Sequence, residues 1–243
     1  MSSVLAVTGK VIPVTLDNMK LIAKLQNGNI VEGESQIPEE AVRQNSRIEE
    51  LMINPENAKA LKEALTAIKE ADAIVMGPGS LYTSITSNLL VKDISKAVRK
   101  SNAIKIYISN IMTQPGETTG FKVSDHLKVL RKYGGKDIVD YVIVNTGEIT
   151  EELKEKYSQE GAELVKLDVE DIKAIGIKIV GENLVKINNG TVKHDSDKLA
   201  EVLADTIMEK KLLYDKKKII EYMYLSQRVK AREREEKGKQ AEI

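Results

Sequence analysis

Short apolar runs alternate with longer amphipathic stretches from residue 54 onward, and this alternation constrains the fold more than any other feature of the sequence. The apolar runs cover residues 72–76, 104–110, 141–145 and 162–167. Because parallel strands need long crossovers, usually helices, strands that alternate with helices are typical of βαβ units. The sequence therefore predicts an α/β fold with a doubly wound, mostly parallel sheet and helices on both faces.

Three capping signals mark predicted helix starts in this region. Asn54 can cap a helix whose first residue is Pro55, and Ser124 can cap the helix after the second strand. Thr150 precedes two glutamates, which favour the positive end of a helix dipole. A further C-terminal helix is predicted to begin near Asp195 or Ser196.

The first 53 residues are β-rich. Residues 4–14 are rich in β-branched side chains, and residues 47–53 are predicted to form a short strand. Asn27 and Gly28 predict a hairpin with a type I′ turn, in which both central residues have positive φ. The polar residues 33–46 are predicted to form a loop.

Three segments follow from this organisation: a β-rich segment with a hairpin over residues 1–53, an α/β domain over 54–229, and a tail over 230–243. Nearly every residue of the tail is charged, with both signs mixed. Such a run is typical of a solvated helical or disordered tail, and less often of an arm that binds a partner.

Composition excludes several functional classes. Lysine plus arginine and aspartate plus glutamate both number 37, so there is no basic excess of the kind that nucleic-acid-binding proteins carry. Cysteine is absent and there are two histidines, so neither a thiolate nucleophile nor a zinc site is expected. No apolar run approaches the roughly 18 residues of a membrane span, and the N-terminus does not resemble a signal peptide. We therefore expect a cytoplasmic protein without a metal, a nucleic-acid partner or a membrane span.

Ligands of open parallel sheets bind beyond the carboxyl ends of the strands, where three loops lie here. The first begins with Gly77, Pro78, Gly79 and Ser80 and continues to Thr83. Its glycines allow close approach to the backbone, and the helix start behind them offers N–H groups that suit a phosphate. A plain strand-to-helix turn capped by Ser80 is the alternative.

The second loop, residues 110–118, is rich in amides and hydroxyls. It can hydrogen-bond a sugar or a base, or be an ordinary connection. The third loop begins at Asn145, which can contact a base or ribose edge or cap its own turn. The sequence leaves both pairs of alternatives open.

Two short motifs contain the histidines. Asp125 and His126 can form an acid–base pair, but adjacent helical residues do not face each other, so capping and surface polarity are favoured. Lys193, which precedes His194 and Asp195, can pair with a ligand phosphate or be solvated.

Two blocks of the sequence carry a family resemblance. Residues 76–85, Met-Gly-Pro-Gly-Ser-Leu-Tyr-Thr-Ser-Ile, and residues 107–118, Tyr-Ile-Ser-Asn-Ile-Met-Thr-Gln-Pro-Gly-Glu-Thr, closely resemble signatures of the YvcK-like gluconeogenesis factor family. Residues 124–127 and 192–195 extend the match, which covers the chain from its start to about residue 213. The family is a sister of the 2-phospho-L-lactate transferases and shares their Rossmann-like fold.

The resemblance implies a cytoplasmic regulator that binds UDP-sugars such as UDP-N-acetylglucosamine and is required for cell shape and cell-wall synthesis during gluconeogenic growth. It implies no required cofactor and no catalytic residue, and makes residues 54–229 a nucleotide-sugar-binding domain. A second copy of the chain and cell-wall-synthesis proteins are candidate partners. Lys193 stands where most members have arginine, so the charge is kept but the bidentate fork is lost. The implied ligand-binding residues are Gly77, Pro78, Gly79, Ser80, Tyr82, Thr83, Asn110, Thr113, Gln114, Gly116, Glu117, Asn145, Tyr157 and Lys193.

Family members also begin with a strand and a Gly-Gly-Gly-Thr-Gly loop, which this sequence lacks, so the resemblance implies a chain without half of the nucleotide site. Two other functional classes stay open. A transferase would need carboxylates such as Glu117, Asp125 and Glu148 to hold a divalent metal. A pure interaction protein would have its function in the helical tail.

Overall fold

The computed structural model describes residues 9–214, and the chain divides into two compact units, Met1–Ser196 and Asp197–Ile243. A four-stranded parallel sheet organises the first unit, which confirms the predicted α/β fold. Its second strand is buried along its whole length, as expected for a strand covered on both faces. In spatial order the strands are β4 (Ala73–Met76), β5 (Ile104–Ile108), β6 (Tyr141–Asn145) and β7 (Lys178–Glu182).

A three-stranded antiparallel sheet precedes it, in the order β2 (Ile30–Glu32), β1 (Lys20–Leu25), β3 (Ile48–Asn54). The predicted hairpin is confirmed, but the predicted type I′ turn is wrong. The Gly28 N–H donates to the Leu25 carbonyl at 2.8 Å, and only Gly28 in this turn has a positive φ, 89°. This geometry is a type I turn followed by a left-handed glycine.

Two predictions before β4 are also wrong. Residues 33–46 contain helix α1 (Gln36–Arg43), which buries Ile37 and Ala41 one turn apart. Asn54 pairs with Lys20 as the last residue of β3, and the next helix, α2, begins only at Lys62 (Lys62–Glu70). Asn54, which the sequence offers as a helix cap, is therefore part of a strand instead.

The helices after β4 agree better with the helices that the sequence predicts. A π-helical segment (Leu81–Thr86), α3 (Ser87–Leu89) and α4 (Lys92–Lys100) connect β4 to β5. Helix α5 (Val123–Gly134) begins after Lys122, so Ser124 lies inside its first turn rather than capping it. Thr150 caps α6 (Glu151–Gln159) as predicted, and its hydroxyl accepts from the Leu153 N–H at 3.4 Å.

The fourth predicted strand is wrong. Residues 162–167 form only isolated bridges, Leu164 with Met112 and Lys166 with Lys122. On the side of β6 away from β5, the strand that pairs with it is β7, reached through α7 (Val169–Ala174). A hairpin that the sequence analysis did not anticipate follows, β8 (Val185–Asn188) with β9 (Thr191–His194).

The C-terminal helix α8 (Ser196–Tyr214) begins where predicted. Residues 9–14 form no strand, while residues 4–8 and the charged tail at 230–243 lie outside the described residues. Across residues 9–214, no helix is both long enough and apolar enough to cross a membrane.

One apolar core joins the two sheets of the first unit. It combines Leu25 and Leu51 of the antiparallel sheet with Tyr107 of β5 and Leu127 and Leu130 of α5. These side chains are at most 2% exposed, so the end of β5 and the start of α5 are held in fixed positions. The loop between β5 and α5 therefore begins and ends at positions that the core holds fixed.

Candidate functional site

The loops after β4 and β5 are joined by side-chain amides. Asn110 Nδ2 donates to the Gly79 carbonyl at 3.1 Å, and Gln114 Nε2 donates to Ser80 Oγ at 2.9 Å. All four residues belong to the predicted site, and they meet beyond the carboxyl ends of neighbouring strands. The amides therefore hold two loops in one polar surface, which we call the amide-linked edge.

A buried carboxylate occupies the start of the π-helical segment. Glu117 is 6% exposed, and its two oxygens accept from the Tyr82 N–H at 2.9 Å and the Thr83 hydroxyl at 2.8 Å. The Tyr82 N–H belongs to the helix start whose N–H groups the sequence assigned to a phosphate. An anionic ligand at this loop therefore has to use backbone nearer Gly79 and Ser80, or displace Glu117.

Gly77 and Gly79, which flank Pro78, differ in how strongly the fold requires a glycine at that position. Gly77 has a φ of 95°, and a Cβ there would lie 3.0 Å from the Ile108 carbonyl oxygen. A Cβ on Gly79 would lie 3.6 Å from the Ser84 Cβ, which is ordinary contact. Gly77 is thus required by the fold, whereas Gly79 is not, and the missing side chain at Gly79 suits close approach of a ligand to the backbone.

Gly77→Ala should lower the free energy of unfolding by about 1–2 kcal/mol, because an L-residue is strained in the left-handed region. Gly79→Ala is the matched control, two residues away in the same loop, and should change stability by less than about 0.5 kcal/mol. Urea denaturation of both variants measures the difference. Equal losses at the two positions would contradict this account of the loop.

Thr113 and Gly116 serve contacts to other segments. Thr113 is buried, its N–H donates to the Glu163 carbonyl at 2.7 Å, and its hydroxyl accepts from the Glu163 N–H at 2.9 Å. Gly116 has a φ of 80°, and a Cβ there would collide with the backbone of Pro38. These residues fix the shape of the second loop rather than extending the amide-linked edge.

Asn145 stabilises its own turn. Its Nδ2 donates to the Gly147 carbonyl at 2.7 Å, and its Oδ1 accepts from the N–H groups of Gly147 at 3.0 Å and Leu184 at 2.9 Å. Of the two alternatives that the sequence left open, these bonds favour the capping role.

Tyr157 and Lys193 meet at the β8–β9 hairpin. The Tyr157 hydroxyl accepts from the Val192 N–H at 2.8 Å, directly beside Lys193. Lys193 is exposed and lies opposite Lys186 in the antiparallel register. The structure therefore brings Tyr157 to the segment that contains Lys193, through a backbone contact.

His194 is a residue that the sequence analysis did not place in the site. Side chains alternate along a strand, so His194 projects to the face opposite that of Lys193. Its Nε2 lies 3.2 Å from the carbonyl oxygen of Ser109, the first residue after β5, and burial lowers its pKa. The hairpin is thus anchored to the amide-linked edge through His194, and only the alternation along β9 could have indicated this.

Asp125 and His126 do not form an acid–base pair. Asp125 accepts from the Lys122 N–H at 3.1 Å and from Lys128 Nζ at 2.9 Å, which is the predicted capping role. His126 is fully buried rather than at the surface, with Nδ1 2.8 Å from the Tyr107 hydroxyl. Burial lowers the pKa of His126 to about 4, so the imidazole is neutral at pH 7.

A cavity of about 600 Å³ opens beyond the end of β6. It is lined by residues 145–149, by Lys154 and Ser158 of α6, by residues 162–167 and by Met112. The sequence analysis missed this cavity because it assigned residues 162–167 to a strand. Of the predicted site residues, only Asn145 lines it.

The carboxylates considered for a transferase lie in separate environments. Glu117 binds the π-helical segment, Asp125 caps α5, and Glu148 pairs with Lys154 at 3.3 Å. Among residues 9–214, no group of three or more histidine, aspartate or glutamate side chains is arranged to hold a metal ion.

A parallel sheet with polar loops and a cavity at its carboxyl edge places the protein in the Rossmann-like class of α/β proteins. Residues 1–185 match the model of the family described as "2-phospho-L-lactate transferase CofD". The chain belongs to the CofD family.

Its relatives also confirm the gluconeogenesis factor resemblance. A Clostridium acetobutylicum protein named "Putative gluconeogenesis factor" is 59% identical over 237 residues, which is 98% of this chain and 52% of the relative. The Bacillus subtilis "Gluconeogenesis factor" is 42% identical over 209 residues, 86% of this chain and 65% of the relative. The crystal structure of a Bacillus halodurans member of the UPF0052 family is 41% identical with a TM-score of 0.77, covering 83% of this chain and 64% of that one. The chain therefore spans about half to two thirds of the length of these relatives.

Proposed function

We propose that this protein is a cytoplasmic gluconeogenesis factor that binds a UDP-sugar, such as UDP-N-acetylglucosamine, and regulates cell shape and cell-wall synthesis during growth on gluconeogenic carbon sources. The observation that carries the proposal is the amide-linked edge. Asn110 and Gln114 tie their own loop to Gly79 and Ser80, so hydroxyl, amide and backbone groups converge beyond the ends of β4 and β5.

This edge suits a nucleotide for two physical reasons. Its groups are mostly neutral hydrogen-bonding groups, which match the ribose, base and sugar of the ligand. Gly79 has no side chain to hinder close approach to its backbone, which suits the diphosphate. The resemblance adds Tyr157 and Lys193, although Lys193 lies on the face of the hairpin opposite to the His194 contact with Ser109.

A transferase is the second candidate, and the description of the matched family favours it. A regulator binds UDP-sugar and leaves it unchanged, whereas a transferase consumes a phosphorylated substrate in the presence of a divalent cation. Chromatography of the nucleotides after prolonged incubation with Mg²⁺ separates the two functions.

Titration calorimetry with UDP-N-acetylglucosamine tests the proposal. We expect saturable binding by the wild-type chain, weaker than by a relative that carries the Gly-Gly-Gly-Thr-Gly loop, and at least tenfold weaker binding by Gly79→Val, because a branched side chain hinders close approach of the diphosphate to the loop backbone. A Cβ at this position makes only ordinary contacts, and a thermal melt verifies that the variant folds. Normal binding by a folded Gly79→Val would move the site away from this loop, and absence of wild-type binding would overturn the proposed function.

A further inference from the structure

The 600 Å³ cavity beyond β6 has the size and the mixed lining of a small-ligand pocket. Its apolar lining includes Met112, Ile149, Ala162 and Leu164, of which Ile149 and Ala162 are nearly fully buried. Its polar lining includes the exposed Ser158 and several charged residues. A ligand with one apolar face and several hydroxyl or amide groups fits such a lining.

The lysines of this lining already have partners. Lys154 Nζ lies 2.8 Å from Glu151 and 3.3 Å from Glu148, and Lys166 Nζ lies 3.7 Å from Glu163. The positive charges are therefore compensated before a ligand arrives, which disfavours a phosphate here. A neutral ligand can hydrogen-bond the exposed carboxylates without separating these pairs.

The cavity lies near the amide-linked edge. Met112 lies in the cavity wall two residues after Asn110, which is at most about 7 Å along an extended chain. Thr113 is bonded to Glu163 through two hydrogen bonds, and the Val165 N–H donates to the Ile111 carbonyl at 2.9 Å. The second loop therefore contributes residues to both the edge and the cavity, which places the two within the length of one extended ligand.

We propose that this cavity takes the glycosyl group of the nucleotide-sugar, with the hydrophobic face of the sugar ring and any acyl substituent against the apolar lining and the hydroxyl groups toward Ser158 and the carboxylates of the polar lining. The inference rests on the proposed function, because it needs the nucleotide at the amide-linked edge. It assigns selectivity for the sugar to residues 145–149 and 162–167, which none of the family signatures includes.

The test compares UDP-N-acetylglucosamine with UDP in calorimetric titrations of the whole chain. Ser158→Trp places a large side chain at the cavity rim, on an exposed helix position that tolerates it. Glu152→Trp is the matched control, because Glu152 is exposed on the same helix but does not line the cavity. Ser158→Leu is a smaller substitution, and thermal melts verify that all three variants fold.

We expect the wild type and Glu152→Trp to bind UDP-N-acetylglucosamine at least tenfold more tightly than UDP. Ser158→Trp should lose this preference while binding UDP within about twofold of the wild type, with Ser158→Leu intermediate. An unchanged preference in folded Ser158→Trp, or equal weakening of both ligands, would overturn the inference while leaving UDP binding intact as support for the proposed function. A wild type that binds neither ligand would overturn both.

Discussion

Glu117→Ala should lower the free energy of unfolding by about 3 kcal/mol, the largest stability effect we expect from a substitution in the candidate site. The substitution removes two hydrogen bonds to a charged acceptor, each typically worth about 1.5–3 kcal/mol. It also leaves the buried Tyr82 N–H and Thr83 hydroxyl without their partner. Urea denaturation of the wild type and the variant at pH 7 measures the loss.

Glu117→Gln is the matched control because it keeps the shape of the side chain. The Gln oxygen can accept from the Tyr82 N–H while its amide donates to the Thr83 hydroxyl oxygen, so both contacts survive without the charge. We expect this variant to lose about half as much stability as Glu117→Ala. A loss below about 1 kcal/mol for Glu117→Ala would show that Glu117 does not stabilise the π-helical segment.

The general layout of the sheet could be predicted because three of its strands are locally distinctive. Ile104–Ile108 and Tyr141–Asn145 are short apolar runs between helical patterns, and they form β5 and β6. The fourth strand could not be identified in this way. Residues 162–167 look at least as strand-like as Lys178–Glu182, but their backbone is bonded to the second loop at Thr113 and Ile111. Which of these two segments joins the sheet depends on contacts between residues that are far apart in sequence.

The position of the candidate site was predictable, but its internal bonding was not. The rule that ligands bind at the carboxyl ends of parallel strands brings Gly79 and Asn110 to one edge. Nothing in the local sequence indicates that Glu117 binds the chain 35 residues earlier, at Tyr82. The cavity was missed because its wall also depends on contacts between distant segments. Residues 162–167 line the cavity because they lie outside the sheet, whereas their local sequence indicates a strand.

The hairpin shows how the remote parts of the site are coupled. Tyr157 holds Val192, Lys156 Nζ donates to the Gly190 carbonyl at 2.9 Å, and His194 contacts Ser109. A substitution of Tyr157 therefore disturbs the whole hairpin as well as any ligand contact. Tyr157→Phe removes only the hydroxyl that holds Val192 and keeps the ring, so its effect on ligand binding isolates the hairpin contact, which Tyr157→Ala does not.

The second large effect is a loss of stability in acid that originates at His126. Burial holds its pKa at about 4 in the folded protein, against about 6.5 in the unfolded chain, and the nearby Asp125 and Asp168 offset only part of this shift. Between these two values the unfolded chain binds a proton that the folded protein does not, so stability falls as the pH falls. This one group should lower the free energy of unfolding by about 2 kcal/mol from pH 7 to pH 5 and by about 3 kcal/mol by pH 4.

Urea denaturation between pH 7 and pH 4 measures this loss, and His126→Gln isolates it from the titration of carboxylates. The variant is less stable at pH 7, since the ring contacts with Tyr107 and Phe121 are lost, but its stability should fall less steeply with acidification. His194→Gln removes the other histidine and should keep most of the wild-type pH dependence, because His194 is only half-buried. If His126→Gln and the wild type lose stability in parallel between pH 7 and pH 5, burial does not lower the pKa of His126 in the folded protein as far as this prediction requires.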